Sequence, residues 1–471
     1  MTIQQQSALL QMKIVNYILI IFLLVSASSV LGSDNAAAKE RLKADVEYLC
    51  SPELAGRNAP GETADAVALW IAERMLNTYL RPAVGDTSFL QEVQLISAKL
   101  DTENTKLTLN SVDDQHRQLQ WSEFYTFPKQ IVEIDTVLDA KTCGYGIVSD
   151  ELNMNDFSNV YGKCVVVSDG IGDLPPDIIG RYAAAPFKAA SAKRAGAEMM
   201  LVLYQKNSWL PDVVKRKIED LNEGLVDLPD SRPDFPIIHT SAEYLTDEVK
   251  SISLKVAFKD NQNTHGFNVV GRLEGSIKEY VILGAHYDHL GVDKNSDSGD
   301  YYAGADDNAS GVAGLLEICR RWAGRDRHGR GLIAVSFTAE EDGMLGSKWF
   351  VEHLPVPRES IAAMINMDEI GRNGFASMRD VHRPGAVIDS GYKAAYYSGA
   401  SPELDEIIKS AADGINLNIS ANPVNSFSHF GDAGPFHEAQ IPTINIFSGF
   451  HADITKRLIH PTRLTMIRWL R

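Results

Sequence analysis

The chain has 471 residues, 44% of them hydrophobic, and a formal net charge of −17. Such a length buries a large core and suits two or three domains. The acidic balance excludes a nucleic-acid partner, whose phosphates need Lys and Arg to neutralise them, and it disfavours anionic membrane surfaces.

The first element is a targeting signal. Met12-Lys13 makes a basic start, Ile14 to Val25 is almost unbroken apolar sequence, and Ser26 to Ser29 leads into Val30-Leu31-Gly32. Residues 1–32 therefore read as a signal peptide cleaved before Ser33, with an apolar core short for a membrane span. The expectation is export to a periplasmic or extracellular location, with no stable membrane insertion after signal removal. The four cysteines, Cys50, Cys143, Cys164 and Cys319, form no CxxC pair and read as small buried hydrophobes.

Residues 36–80 show helical spacing through Leu42, Val46, Leu49, Leu69, Ile71 and Met75, interrupted at Ser51-Pro52 and again from Gly56 to Gly61. From 130 to 250 the texture becomes strand-like, with strands expected at Gly144 to Val148, Cys164 to Val167 and Met199 to Leu203. A small-residue helix is expected over Phe187 to Ala197. After Phe267, apolar strands at Val281 to Gly284, Leu332 to Phe337, Ala362 to Ile365 and Thr443 to Phe447 alternate with helical patterns at Ala309 to Trp322 and Ser347 to Leu354. The expected fold class is α/β, a mainly parallel or mixed central sheet flanked by helices, with an inserted smaller β-rich domain.

Open α/β sheets bind ligands beyond the carboxyl ends of their strands. Here those ends deliver His286-Tyr287-Asp288, Glu340-Glu341 and Asp368, and the loop Gly304 to Gly311 adds Asp306-Asp307. Any one of these is ordinary surface or structural chemistry. Together, converging on one crevice, they would repel one another and resist burial unless a multivalent cation joined them. Imidazole mixed with carboxylate favours zinc.

The blocks Ala285-His286-Tyr287-Asp288, Gly304 to Gly311, Glu340-Glu341 and Asn366-Met367-Asp368 resemble the signature blocks of the M28 zinc aminopeptidases. Leu49 to Pro60 resembles the opening of bacterial members, and the middle segment resembles a protease-associated domain. The resemblance implies a zinc exopeptidase fold with 33–130 as the first part of the catalytic domain, 131–255 as the insert and 256–453 as the zinc peptidase domain. It implies two Zn2+ ions bridged by Asp307, with His286 and Asp368 completing one site and Glu341 in the other. Asp288 would hydrogen-bond the far nitrogen of His286, and Glu340 would be the general base. Ser347 is expected to cap the following helix. The implied activity is hydrolysis of N-terminal residues from peptide substrates. A binding-only relative, a glutaminyl-cyclase-like enzyme, and a carboxypeptidase or dipeptidase are the alternatives.

The family places a further His ligand shortly after the last strand, and here the chain departs from the pattern. Ile454 to Arg471 holds five Lys or Arg and no acidic residue. A message for the family-like string DYHQKTDTPDKVDYDTLVE, with one T deleted after its first codon and one following G supplied, yields Asp453 to Arg471 as they stand. Residues 454–471 therefore read as a frameshifted tail, with the lost His at the position of Thr455. His460 is the replacement ligand candidate, while His429, His437 and His451 read as solvated or core histidines.

Overall fold

The computed structural model describes residues 32–113, 115–121, 123–126, 130–172, 185–204, 224–231, 235–245, 248–293, 299–324, 329–372, 393–414, 417–425 and 431–449. The chain divides into two compact units, one comprising 1–93 with 265–471 and the other 94–264. The signal segment and the tail from 450 onward, with His451 and His460, lie outside the described residues.

The first unit opens with helices α1 (Gly32–Leu49) and α2 (Glu62–Asn77). Its sheet uses the end of strand β1 (Phe258–Leu273), then β2 (Tyr280–His286) and β3 (Gly331–Phe337), with helix α3 (Gly311–Ala323) between the last two. Helix α4 (Leu345–Glu352) leads to β4 (Ile361–Met367). Then follow β5 (Lys393–Ser398), α5 (Glu403–Asp413), β6 (Ile419–Val424), α6 (Ala433–Glu438) and β7 (Thr443–Phe447). The spatial order is β1-β3-β2-β4-β7-β5-β6.

The four central strands β3, β2, β4 and β7 are mutually parallel, while β1 and β5 join them antiparallel. Every residue of β2, β3 and β4 is buried, as expected for parallel strands covered on both faces. One face packs Ile282, Ile333, Val335, Phe337 and Met364 against Phe350 of α4 and Phe436 of α6. Phe337 meets those two rings at 5.9 and 6.0 Å. Because β2 leads to β3 on one side and β3 then crosses back to β4 on the other, a crevice opens at their carboxyl ends.

Helix α3 buries the stripe Val312, Leu315, Leu316 and Cys319, spaced as a helix face requires. Its Glu317, also buried, accepts hydrogen bonds from Arg320 and Arg321 one turn on and from Arg41 of α1 at 3.0 and 3.1 Å. Burial alone would raise this carboxyl, but hydrogen bonds from Arg320, Arg41 and Arg321 hold it down at about 2, against an ordinary 4.5. A folded pKa below the unfolded one adds stability that is complete above the unfolded value and lost as pH falls through the folded one. Urea midpoints of the native chain are therefore expected to drop more steeply than those of Glu317→Gln between about pH 5 and pH 2. Equal slopes would contradict this.

The second unit contains an eight-stranded sheet. Strands 134–142, 164–168, 199–204 and 237–241 run parallel in that order, and helix Ala185–Arg194 precedes 199–204. This unit is wider than 131–255. Strands Lys106–Ser111, His116–Leu119 and Phe124–Thr126 belong to it because they pair, directly or in series, with 249–256 and 237–241, more than 100 residues away. The expected strand at Gly144 to Val148 is mostly a turn, with Gly144 and Gly146 at positive φ. All four cysteines are buried and free. Among the described residues, no helix is long and apolar enough to cross a membrane.

Candidate metal centre

Strand β2 ends in His286, and its continuation Tyr287-Asp288-His289 lies almost entirely buried. His286 Nδ1 lies 3.2 Å from the backbone carbonyl of Asp288, which fixes the ring and leaves Nε2 for the crevice. The Asp288 carboxylate stands 3.8 Å from Nδ1, so the expected carboxylate–imidazole hydrogen bond is replaced by one to its carbonyl. The carboxylate is engaged elsewhere: its two oxygens accept the amides of Glu340 and Glu341 at 3.1 and 3.2 Å. Asp288 thereby holds the turn that carries both glutamates.

Asp307 sits in a segment whose other polar residues are anchors. Asp306 Oδ1 accepts the Gly371 amide at 2.7 Å, and Asn308 Nδ2 donates to the Met367 carbonyl at 2.9 Å. Ser310 Oγ donates to the Asp306 carbonyl and accepts the Ile370 amide. Those bonds tie the segment to the chain following β4, next to Asp368. Asp307 and Asn308 leave helical dihedrals, and regular helix begins at Gly311.

Arg57 clamps both loops. Fully buried, it donates to the carbonyls of Leu49, Ala303, Tyr287 and Gly304 at 2.6, 2.7, 2.8 and 2.9 Å. Gly304 has φ +58, and a Cβ there would lie 2.4 Å from Arg57 Nη2 and 2.6 Å from His289 Cδ2. Only glycine fits that contact.

Two triads result. His286, Asp307 and Asp368 present donor atoms within 4.8 Å of one another, and so do His289, Asp307 and Glu341. His286 Nε2 lies 3.3 Å from both Asp307 Oδ1 and Asp368 Oδ1. His289 Nδ1 lies 2.7 Å from Glu341 Oε1 and 3.8 Å from Asp307 Oδ2. Burial would lower the His286 imidazole, but Asp368 and Glu340 outweigh it and hold it well above its ordinary value. Burial pushes His289 down to about 4, with Arg57 and His286 adding to the fall and Asp307 opposing it. Against burial, His289, His286 and Arg57 keep Asp307 down at about 2.

Glu340, Glu341 and Glu369 are pushed well above the carboxylate range, first by burial and then by surrounding acids. The centre thus holds more carboxylate than its histidines and Arg57 balance, the condition a multivalent cation relieves. Mixed imidazole and carboxylate donors fit zinc. Glu340 stands outside both triads; Asp368 Oδ2 and Glu340 Oε1 lie 3.0 and 3.2 Å from the point where a Gly431 Cβ would sit.

His286, Asp307, Glu341 and Asp368 are thus brought together, with Asp288 and Glu340 beside them. His460, His429 and His451 fall outside the described residues. His437 lies elsewhere, its Nδ1 3.0 Å from Ser398 Oγ. Ser347 is no cap: it lies inside α4, and its hydroxyl donates back to the Met344 carbonyl at 3.2 Å. Two contributors escaped the sequence reading, His289 and Arg57. The available signal for His289 was a second imidazole three residues after the first.

Residues 268–462 match the profile described as peptidase family M28, a match that continues past Asp453 into the tail. Among curated proteins, aminopeptidase YwaD of Bacillus subtilis is 28% identical over 269 residues, 56% of this chain and 50% of that protein. Leucine aminopeptidase 1 of Emericella nidulans is 34% identical over 110 residues, 22% of this chain and 28% of that one. The matched stretches span between about a quarter and a half of these relatives' lengths. The structure of BSAP, a zinc aminopeptidase from Bacillus subtilis, is similar over 91% of each chain at 20% identity and a TM-score of 0.45. Residues 268–462, which match the peptidase family M28 profile, hold the signature residues gathered in this one buried centre.

Proposed function

We propose that this chain is an exported zinc-dependent aminopeptidase that hydrolyses N-terminal residues from peptides. The observation that carries the reading is a pair of histidine–carboxylate triads sharing Asp307, with Glu340 alongside. Three adjacent parallel strands, β3, β2 and β4, deliver the parts. His286, Asp307 and Asp368 would hold one ion, and Asp307 with Glu341 would contribute to the other. Zinc, when bound, supplies Lewis-acid polarisation of the peptide carbonyl and of water.

The chain's own residues do the proton work. Glu340 takes a proton from the attacking water and delivers it to the departing amine. Its carboxyl lies beside the ligand Asp368, their oxygens bordering one point next to Gly431. Asp288 fixes the backbone of Glu340 and Glu341, so that one side chain serves the metal while the other stays available. The acidic surroundings, with Glu369 near Asp307 and Asp368 and buried Asp432 near Glu340 and Asp368, suit a protonated peptide N-terminus over a carboxylate terminus. The names of YwaD and leucine aminopeptidase 1 agree with that choice. Residues 94–264, the second compact unit, are taken as a protease-associated insert, and residues 1–32 as the export signal.

The test is digestion of a peptide mixture with and without a zinc chelator, comparing free with blocked N-termini. Stepwise, chelator-sensitive loss from free N-termini alone is the expected result. Equal cleavage of blocked peptides, or indifference to the chelator, would overturn the proposal.

A further inference from the structure

We infer that His289 is a metal ligand and completes the second zinc site, so that this site needs no histidine from the C-terminal tail. The inference rests on the two-zinc reading above and goes beyond it, since that reading leaves the second ion with two carboxylates alone.

The two triads are matched in chemistry. Each combines one imidazole, one carboxylate of its own and the shared Asp307. Atoms bound to one zinc lie within about twice the ~2.1 Å metal–ligand bond of each other. His289 Nδ1 meets that condition with Glu341 Oε1 at 2.7 Å and with Asp307 Oδ2 at 3.8 Å. The two carboxylate oxygens of Asp307 are divided between the imidazoles, Oδ1 toward His286 and Oδ2 toward His289. That division is the arrangement a bridging carboxylate requires.

The histidine is also held in place. The His289 amide donates to the Arg57 carbonyl at 3.3 Å, and the Gly291 amide donates to the Gly56 carbonyl at 3.2 Å. Gly304 lies against the ring at Cδ2, and Tyr302 meets it edge-on at 6.4 Å. A side chain only 7% exposed and oriented by backbone bonds on either side is preorganised as a ligand, and its Nδ1 faces the acids. The competing role is a hydrogen-bond partner that merely orients Glu341.

The two roles separate on metal binding. The full chain, its His289→Ala variant and its His460→Ala variant would each be stripped of metal and titrated with zinc by calorimetry. Bound zinc would be counted after desalting. Two equivalents are expected for the native chain and for His460→Ala. For His289→Ala, one equivalent should remain at near-native affinity, which reports an intact fold, and the second should weaken by roughly 100-fold or more. Two native-affinity equivalents in His289→Ala would overturn the inference. So would loss of the second equivalent in His460→Ala, whatever His289→Ala does. Fewer than two equivalents in the native chain would instead overturn the two-zinc reading itself, and this inference with it.

Discussion

Glu340→Gln is expected to lower kcat for peptide hydrolysis by roughly 10²- to 10⁴-fold while leaving zinc stoichiometry unchanged. Glu340 belongs to neither triad, yet its carboxylate oxygen and that of the ligand Asp368 border the same point beside Gly431. Its amide is tied to Asp288, so an isosteric amide side chain preserves the turn and the packing. What disappears is the ability to accept a proton. An acid limb of kcat against pH that reports protonation of Glu340 should therefore vanish in the variant. Single-turnover rates and metal counts on the two proteins check this. Activity within tenfold of native would assign the proton transfer elsewhere, and loss of zinc would make Glu340 a ligand.

Arg57→Ala is expected to lower unfolding stability by about 3–5 kcal/mol, a large share of the ~5–15 kcal/mol typical of a domain. The guanidinium joins four carbonyls from three separate stretches of chain, at Leu49, Tyr287 and Ala303-Gly304. Alanine removes all four of those donated hydrogen bonds and a buried cation that interacts with Asp307, Asp288 and Glu341. Because both triads hang on the loops it joins, zinc affinity should fall together with the urea midpoint. Arg57→Lys should rescue little, since an ammonium cannot span a planar fork of acceptors. A stability loss under about 1 kcal/mol for Arg57→Ala would show that the loops hold themselves.

The contrast between these residues shows what a chain discloses about itself. His286, Glu340, Glu341 and Asp368 are legible because each lies at or just beyond the carboxyl end of a buried apolar strand. In a parallel sheet, the carboxyl ends of neighbouring strands meet without further information. Asp307 was legible from its crowded acidic loop. The roles inside that loop were not, since Asp306, Asn308 and Ser310 are sorted from Asp307 only by bonds to residues 367–371. His289 is hidden because its loop carries no periodic pattern and the resemblance points to a histidine beyond the last strand instead. Arg57 looked like part of a polar turn; its meaning lies in carbonyls up to 247 positions away. The strands between 106 and 126 belong to the second unit rather than the first for a reason equally invisible in sequence, their partners being remote. Asp288 was found but given one bond it does not make, because its nearest acceptor to His286 is its own carbonyl.

Locating zinc in crystals of the full chain tests the bridged pair of metal sites at Asp307 most directly. Anomalous difference maps at the zinc edge should give two peaks, one enclosed by His286, Asp307 and Asp368 and the other by His289, Asp307 and Glu341. A single peak, or a second peak away from Asp307, would contradict the account.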